Sequence, residues 1–256
     1  VLPVERHEAI VEAVSAAQAV STDELVRRLG VSAETVRRDL ALLEGKGALR
    51  RVHGGAAPVE SRRVIEPSYT ERSMIRHQAK AQLARLAAGL LENGQTVVID
   101  IGTTAVAVAQ AIPRSFTGTV VTPSLPVAIE LTERAGVEVL LAGGRVRPGD
   151  LACSSAHAKA FFADIYADIA LLGSGGVHAE AGLTDFHLDE IDVRRTIIAN
   201  SARSYILADS SKVGQVAPYR VCPLRSVTGL ITDTDTDAGV AAAFAETGGV
   251  VLSARP

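Results

Sequence analysis

The strongest constraint on this chain is a set of six short apolar segments, at 96–100, 119–122, 138–142, 169–172, 205–208 and 229–232, separated by stretches with helical spacing of apolar residues. Apolar runs of strand length alternating with helices are the pattern of βα units, in which helices cover both faces of a largely parallel sheet. From residue 76 to 256 the sequence therefore predicts one α/β domain. In open parallel sheets, ligands bind beyond the carboxyl ends of the strands. The six segments are followed there by Asp100-Ile101-Gly102-Thr103-Thr104, Thr122-Pro123-Ser124, Gly143-Gly144-Arg145, Gly173-Ser174-Gly175-Gly176, Asp209-Ser210-Ser211-Lys212 and Thr232-Asp233. Gly102-Thr103-Thr104 opens a helix, so backbone N–H groups, two hydroxyls and a positive dipole end suit a phosphate. Lys212 adds counter-charge, and Asp100 and Asp209 offer acceptors to sugar hydroxyls. Glycines and hydroxyls are also common at ordinary strand-to-helix turns; their recurrence after several strands is what points to a ligand.

Before residue 58 the text is different. Three helical patterns carry Ile10, Val14 and Ala17, then Leu25 and Leu29, then Val36, Leu40 and Leu43. Ser21 with Glu24 reads as a capping box, Gly30 as a left-handed stop, and Ser32 as the cap of the third helix. Two helices joined by Gly30-Val31-Ser32 have helix-turn-helix spacing. On a helical wheel Glu34, Arg37, Arg38 and Ala41 oppose the apolar stripe, which places two arginines where a helix can enter a major groove. Ser32 and Thr35 at its start suit phosphate oxygens. Leu49-Arg50-Arg51-Val52-His53-Gly54-Gly55 resembles a small β-wing, with Arg50, Arg51 and His53 toward backbone or minor groove. An arginine pair by itself serves equally to solvate a helix face.

Charge supports the first alternative. The whole chain has 26 basic and 29 acidic residues and a formal charge of −3, which argues against nucleic acid as a partner. Between Arg27 and His53, however, seven basic residues face three acidic ones, so positive charge is concentrated where a phosphate backbone could be met. Residues 58–75, with two prolines among charged residues and no period, read as a linker between domains 1–57 and 76–256. Cys153 and Cys222 lack metal-ligand or redox spacing, and no segment has the apolar length of a membrane span or an export signal, so a cytoplasmic protein is expected.

The string Ser32-Ala33-Glu34-Thr35-Val36-Arg37-Arg38-Asp39-Leu40, followed by Arg51-Val52-His53-Gly54-Gly55-Ala56, closely resembles the DeoR family of bacterial transcription regulators. Arg6 and Ile10 fit the start of the same signature. The second half resembles that family too, through Asp100-Ile101-Gly102-Thr103-Thr104, Val121-Thr122-Pro123-Ser124-Leu125, Leu141-Ala142-Gly143-Gly144, Ala170-Leu171-Leu172-Gly173-Ser174-Gly175-Gly176 and Ala208-Asp209-Ser210-Ser211-Lys212. The resemblance implies a winged helix-turn-helix plus a ribose-5-phosphate-isomerase-like α/β sensor. It implies a repressor of a sugar-catabolism operon, bound to double-stranded operator DNA as a homodimer or homotetramer and controlled by a phosphorylated sugar. The phosphate is then expected at Gly102, Thr103, Thr104 and Lys212, and the polyol body toward Thr122, Gly144 and Gly175. Asp39, an acid on a phosphate-facing helix, is expected to orient arginines or cap backbone rather than to touch DNA.

The competing reading is a sugar-phosphate isomerase-like enzyme. Isomerisation needs a carboxylate base, yet where such isomerases carry Asp-Gly-Ala-Asp-Glu this chain has Ser174-Gly175-Gly176-Val177-His178-Ala179, leaving Glu180 or Asp185 as substitutes. Gly173-x-Gly175-Gly176 lacks dinucleotide spacing. His178, Glu180, Asp185, His187, Asp189 and Glu190 are metal-ligand types at irregular spacing, and neither metal nor cofactor is expected.

Overall fold

The computed structural model describes residues 3–15, 19–45, 48–52, 54–57, 66–234 and 236–254, and the chain forms two compact units, Val1–Arg63 and Val64–Pro256. In the first unit α1 (Pro3–Ser15), β1 (Val20–Ser21), α2 (Thr22–Leu29) and α3 (Ala33–Gly45) precede β2 (Arg50–Val52) and β3 (Gly55–Ala57). The strands form an antiparallel sheet in the order β1-β3-β2. Ile10, Val14, Leu25, Val36, Leu40, Leu43 and Leu49 make one core. Each such burial stabilises by about 1.5–3 kcal/mol. Ser21 accepts a hydrogen bond from the Glu24 N–H (3.1 Å), and Gly30, at φ +65°, ends α2 with its N–H on the Val26 carbonyl. The wing closes against β1 so tightly that a Cβ on Gly55 would lie 2.1 Å from the Val20 carbonyl oxygen.

The second unit opens with α4 (Tyr69–Met74) and α5 (His77–Ala88), then runs β4 (Thr96–Ile99), α6 (Thr103–Ala111), β5 (Gly118–Thr122), α7 (Leu125–Thr132) and β6 (Val137–Leu141). A hairpin of β7 (Val146–Arg147) and β8 (Ala152–Cys153) leads to α8 (Ala156–Ala163) and β9 (Ala167–Leu172). After the antiparallel pair β10 (Gly176–His178) and β11 (Gly182–Asp185) come α9 (Leu188–Ala199), β12 (Ser201–Leu207) and β13 (Tyr219–Cys222), which extends that small sheet. The unit ends with β14 (Gly229–Thr232), α10 (Ala238–Glu246) and β15 (Val250–Ser253).

All six expected apolar segments are strands of one seven-stranded sheet, β15-β14-β12-β9-β4-β5-β6, parallel at every pairing. The seventh, β15, was not anticipated. Both faces are covered, as continuous apolar runs require. Val98, Val121, Ala170, Leu172, Ile206 and Leu230 pack with Phe162, Ile191, Ile197 and Phe244. Their neighbours Val97, Ile99, Val120, Ile169, Leu171, Leu207 and Ile231 pack with Leu83, Val108 and Leu131. Strand order reverses between β4 and β9, and the carboxyl ends of these two strands are the switch point where open α/β sheets bind ligands.

The stretch 58–75, read from sequence as linker, needs correction. From Glu66 onward it is folded: Ser68 accepts from the Glu71 N–H and Glu71 accepts from the Ser68 N–H, a reciprocal capping box that starts α4. Residues 58–65 lie outside the described residues. Among the described residues no helix is long and apolar enough to cross a membrane.

Candidate functional site

On α3 the apolar stripe is buried, while Glu34, Arg37, Arg38 and Ala41 are exposed on the opposite face. Ser32 caps the helix by accepting from the Thr35 N–H (3.2 Å), and its hydroxyl also lies 2.9 Å from that of Thr35. Glu34 pairs with Arg37 at 3.6 Å across open surface. Arg50 and Arg51 are exposed on β2, where the Arg51 N–H is held by the Glu44 carboxylate (2.9 Å). His53 lies outside the described residues. Asp39 does not orient Arg37 or Arg38. It faces inward, 7% exposed, and binds two residues of α1: Arg6 through Nε (2.6 Å) and Nη2 (3.2 Å), and His7 through Nε2 (2.9 Å). The Arg6 hydrogen bond holds the Asp39 carboxyl below its ordinary value despite burial. The acid thereby fixes α3 on α1.

At the β4/β9 switch point Gly102, at φ +99°, stands at the start of α6 with no side-chain cap, so the first-turn N–H groups are left for another acceptor. Gly102, Thr103, Thr104, Gly173, Ser174 and Lys212 line a cavity of about 30 Å³. It shares Glu66, Arg72, Thr103, Thr104, Asp209 and Lys212 with a second of about 220 Å³, whose wall adds Ile75, Arg76, Lys80, Gly175 and Phe186. The Lys212 ammonium donates to the Ser174 carbonyl, and burial pulls its pKa below the ordinary lysine value. Asp209 accepts from the Ser211 N–H (2.9 Å) and lies 3.7 Å from Arg76.

The wall of the smaller cavity also carries a network of charges that sequence reasoning missed. Arg194 is buried and binds Asp100 (2.6 Å), Asp185 and, at 3.7 Å, Glu190. Burial would depress its pKa, but these three acids raise it well above the ordinary value. Arg147 bridges Glu190 (2.6 Å) and Asp150, and Arg72 bridges Asp150 and Glu66 (3.0 Å). Burial, reinforced by Asp185 and Asp100, outweighs the two arginines at Glu190 and pushes its pKa up to about 7. The groups come from α4 and the segment before it, the β7–β8 hairpin, the residue after β4, β11 and α9, whose meeting no local spacing announces.

Several expected ligand residues stand elsewhere. Asp100 is 2% exposed, and its carboxylate takes the Gly173 N–H (2.9 Å) and Arg194, so it shapes the switch point rather than meeting sugar hydroxyls. Thr122 is fully buried and accepts from the Ser124 N–H (3.1 Å). Gly144 is exposed, next to Ser155. Neither Thr122 nor Gly144 lines the two cavities. Gly102, Thr103, Thr104, Gly175, Asp209 and Lys212 do converge on them, and Arg72, Arg76 and Lys80 join them. Arg72 fell inside the stretch read as linker; the Ser68-x-x-Glu71 capping signal could have revealed it.

The acids considered as isomerase bases are not so placed. Asp185 lines the smaller cavity but its carboxylate is locked to Arg194, and Glu180 is exposed in the β10–β11 turn and lines neither cavity. The six irregularly spaced metal-ligand types do not gather either: Asp189 sits 3.5 Å from Arg145, and His178 Nδ1 accepts from the Glu180 N–H (3.2 Å). Among the described residues, Glu66, Asp150 and His187 do present donor atoms within 4.8 Å of one another. Arg72 and Arg147 already neutralise those acids, a donor set suited to ion pairing rather than to a cation.

Residues 6–62 match the DeoR-like helix-turn-helix domain and residues 75–234 the DeoR C terminal sensor domain. Among curated relatives, the HTH-type transcriptional regulator GlpR of Haloferax volcanii is 36% identical, over 93% of this chain and 92% of the relative. The Glycerol-3-phosphate regulon repressor of Escherichia coli is 34% identical over 90% of each. Among solved structures, the probable sor operon regulator of Shigella flexneri aligns with 76% of this chain and 94% of its own, at 15% identity and a TM-score of 0.44. Ribose 5-phosphate isomerase A of Methanocaldococcus jannaschii aligns with 53% of this chain and 54% of its own, at 15% identity and a TM-score of 0.39.

Proposed function

The chain belongs to the DeoR family of DNA-binding transcriptional regulators, and from that premise we propose that it is a repressor released from its operator by a phosphorylated sugar. The carrying observation is the convergence of Gly102, Thr103 and Thr104 at the uncapped start of α6 with Lys212 and Arg72 on the same cavities. Backbone N–H groups, hydroxyls and an ammonium at the switch point suit a phosphate dianion. The names of the relatives favour a sugar-phosphate or polyol-phosphate ligand.

Operator DNA is met by Ser32, Thr35, Arg37 and Arg38 of α3, with Glu34 beside Arg37 tuning its reach, and by Arg50, Arg51 and His53 of the wing. One such unit covers few base pairs, so useful specificity calls for a homodimer or homotetramer on half-sites about one helical turn apart or a multiple of it. By linkage, the effector must bind the DNA-free arrangement more tightly. Arg72 is the coupling point: an anion in the cavity competes with Glu66 and Asp150 for its guanidinium and resets the segment leading from the first unit. A thermal-shift screen of sugar phosphates, followed by operator titration with and without the hit, tests this reading. A ligand at 100 times its Kd adds about 2.7 kcal/mol of stability. Operator affinity unchanged by every stabilising phosphate would overturn it.

A further inference from the structure

Phe186 stands apart from the other phenylalanines. Of the five in the chain, Phe116, Phe162 and Phe244 are core residues and Phe161 packs against a core. Phe186 belongs to none of the three core clusters. It lines the 220 Å³ cavity and is the one aromatic side chain, among the described residues, in either cavity wall.

Its surroundings hold it firmly. The Phe186 N–H is bound to the Asp185 carboxylate (2.6 Å), which is itself locked to Arg194, and on the other side His187 Nε2 lies 2.7 Å from Glu66. The ring lies against the backbone of residue 175: a Cβ there would be 3.0 Å from ring atoms Cδ2 and Cε2 and 2.9 Å from the Asp185 Cα. Glycine at 175 is therefore what lets the ring occupy its place, a role different from the ligand contact its sequence position suggested. A partly buried aromatic ring with a fixed backbone, in the wall of the same cavity as Thr103, Thr104 and Lys212, is preorganised to meet an apolar surface. Sugar rings present such a surface: their axial C–H groups carry slight positive charge and seat on the negative face of an aromatic ring. An open-chain polyol has no fixed face to offer.

We propose that Phe186, seated by Gly175, is the specificity platform of the effector site and selects a sugar phosphate in its ring form over an open-chain polyol phosphate of the same length. This rests on the sugar-phosphate reading above. The test compares 1,5-anhydroglucitol 6-phosphate, a locked ring, with glucitol 6-phosphate, its open-chain counterpart, by calorimetry on the full-length protein. Wild type should bind the locked ring about tenfold more tightly. Phe186→Ala and Phe186→Leu should remove that preference by weakening the ring compound alone, Phe186→Tyr should retain it, and Gly175→Ala should reduce it. Equal affinities in wild type, or a ring preference that survives Phe186→Ala and Phe186→Leu, would overturn the platform and leave the sugar-phosphate reading intact, since the open-chain compound and inorganic phosphate still report the cradle. Failure of all three probes to bind wild type would overturn both.

Discussion

Asp39 grips Arg6 with both carboxylate oxygens, across 33 residues of sequence. An acid in the middle of a DNA-reading helix is costly if it faces phosphate. Turned inward, it ties α3 to α1 and leaves the exposed face to Arg38 and to Arg37 with its neighbour Glu34.

Replacing Asp39 with Asn should therefore weaken operator binding without removing a DNA contact. A carboxyl whose folded pKa is lowered contributes stability that is complete above its unfolded value, about 3.9, and lost as pH falls through the folded value. The stability gap between wild type and Asp39→Asn should be full at neutral pH and shrink below about pH 4. Chemical denaturation of the first unit at several pH values checks this, and a gap independent of pH would refute it.

Arg38→Ala should act on DNA directly. Loss of one phosphate contact flattens the log affinity against log salt slope by about 0.9. Titrations at two salt concentrations read this, and an unchanged slope with unchanged affinity would remove Arg38 from the interface.

Lys212→Met should uncouple the two functions. Operator affinity without effector is expected to match wild type, while the roughly 2.7 kcal/mol of stabilisation by saturating sugar phosphate disappears. A variant that still responds to the effector would show that the cradle lies elsewhere.

Glu190 makes the second unit sensitive to pH. Its carboxyl is pushed up to about 7, so the folded state holds a proton that the unfolded chain releases near 4.3. Stability from this group is complete below about pH 4.3 and declines as pH rises through 7, by roughly 3–4 kcal/mol. Glu190→Gln should flatten that decline. Thermal melts at pH 5 and pH 7.5 distinguish the two proteins, and parallel melts would count against the assignment.

Features of the fold that repeat locally were legible in the sequence. The six buried strands announced themselves as apolar runs, and Gly30 and Ser32 marked the helix-turn-helix by their caps. Arg194 did not, because Asp100 and Asp185 reach it from other elements, and only Glu190, four residues before it on α9, is local. Segment 66–75 looked like linker because α4, at six residues, is too short to show a period. Thr122 ends β5 and Gly144 follows β6, much as Gly102 follows β4. Their strands, β5 and β6, lie away from the order reversal, and sequence does not state strand order.

Arg76 joins α4 to α5 in a left-handed conformation, at φ +53°, that a side chain with a Cβ adopts at a cost of roughly 1–2 kcal/mol. Its guanidinium is held by Ser210 (3.0 Å), Asp209 (3.7 Å) and Asp233 (3.8 Å). The bend is thus anchored twice, by this grip on one cation and by the Lys80 ammonium, which reaches back across the joint to the Arg72 and Ile75 carbonyls (2.9 Å to Ile75). A costly backbone conformation is fixed by two side chains that also line the larger cavity.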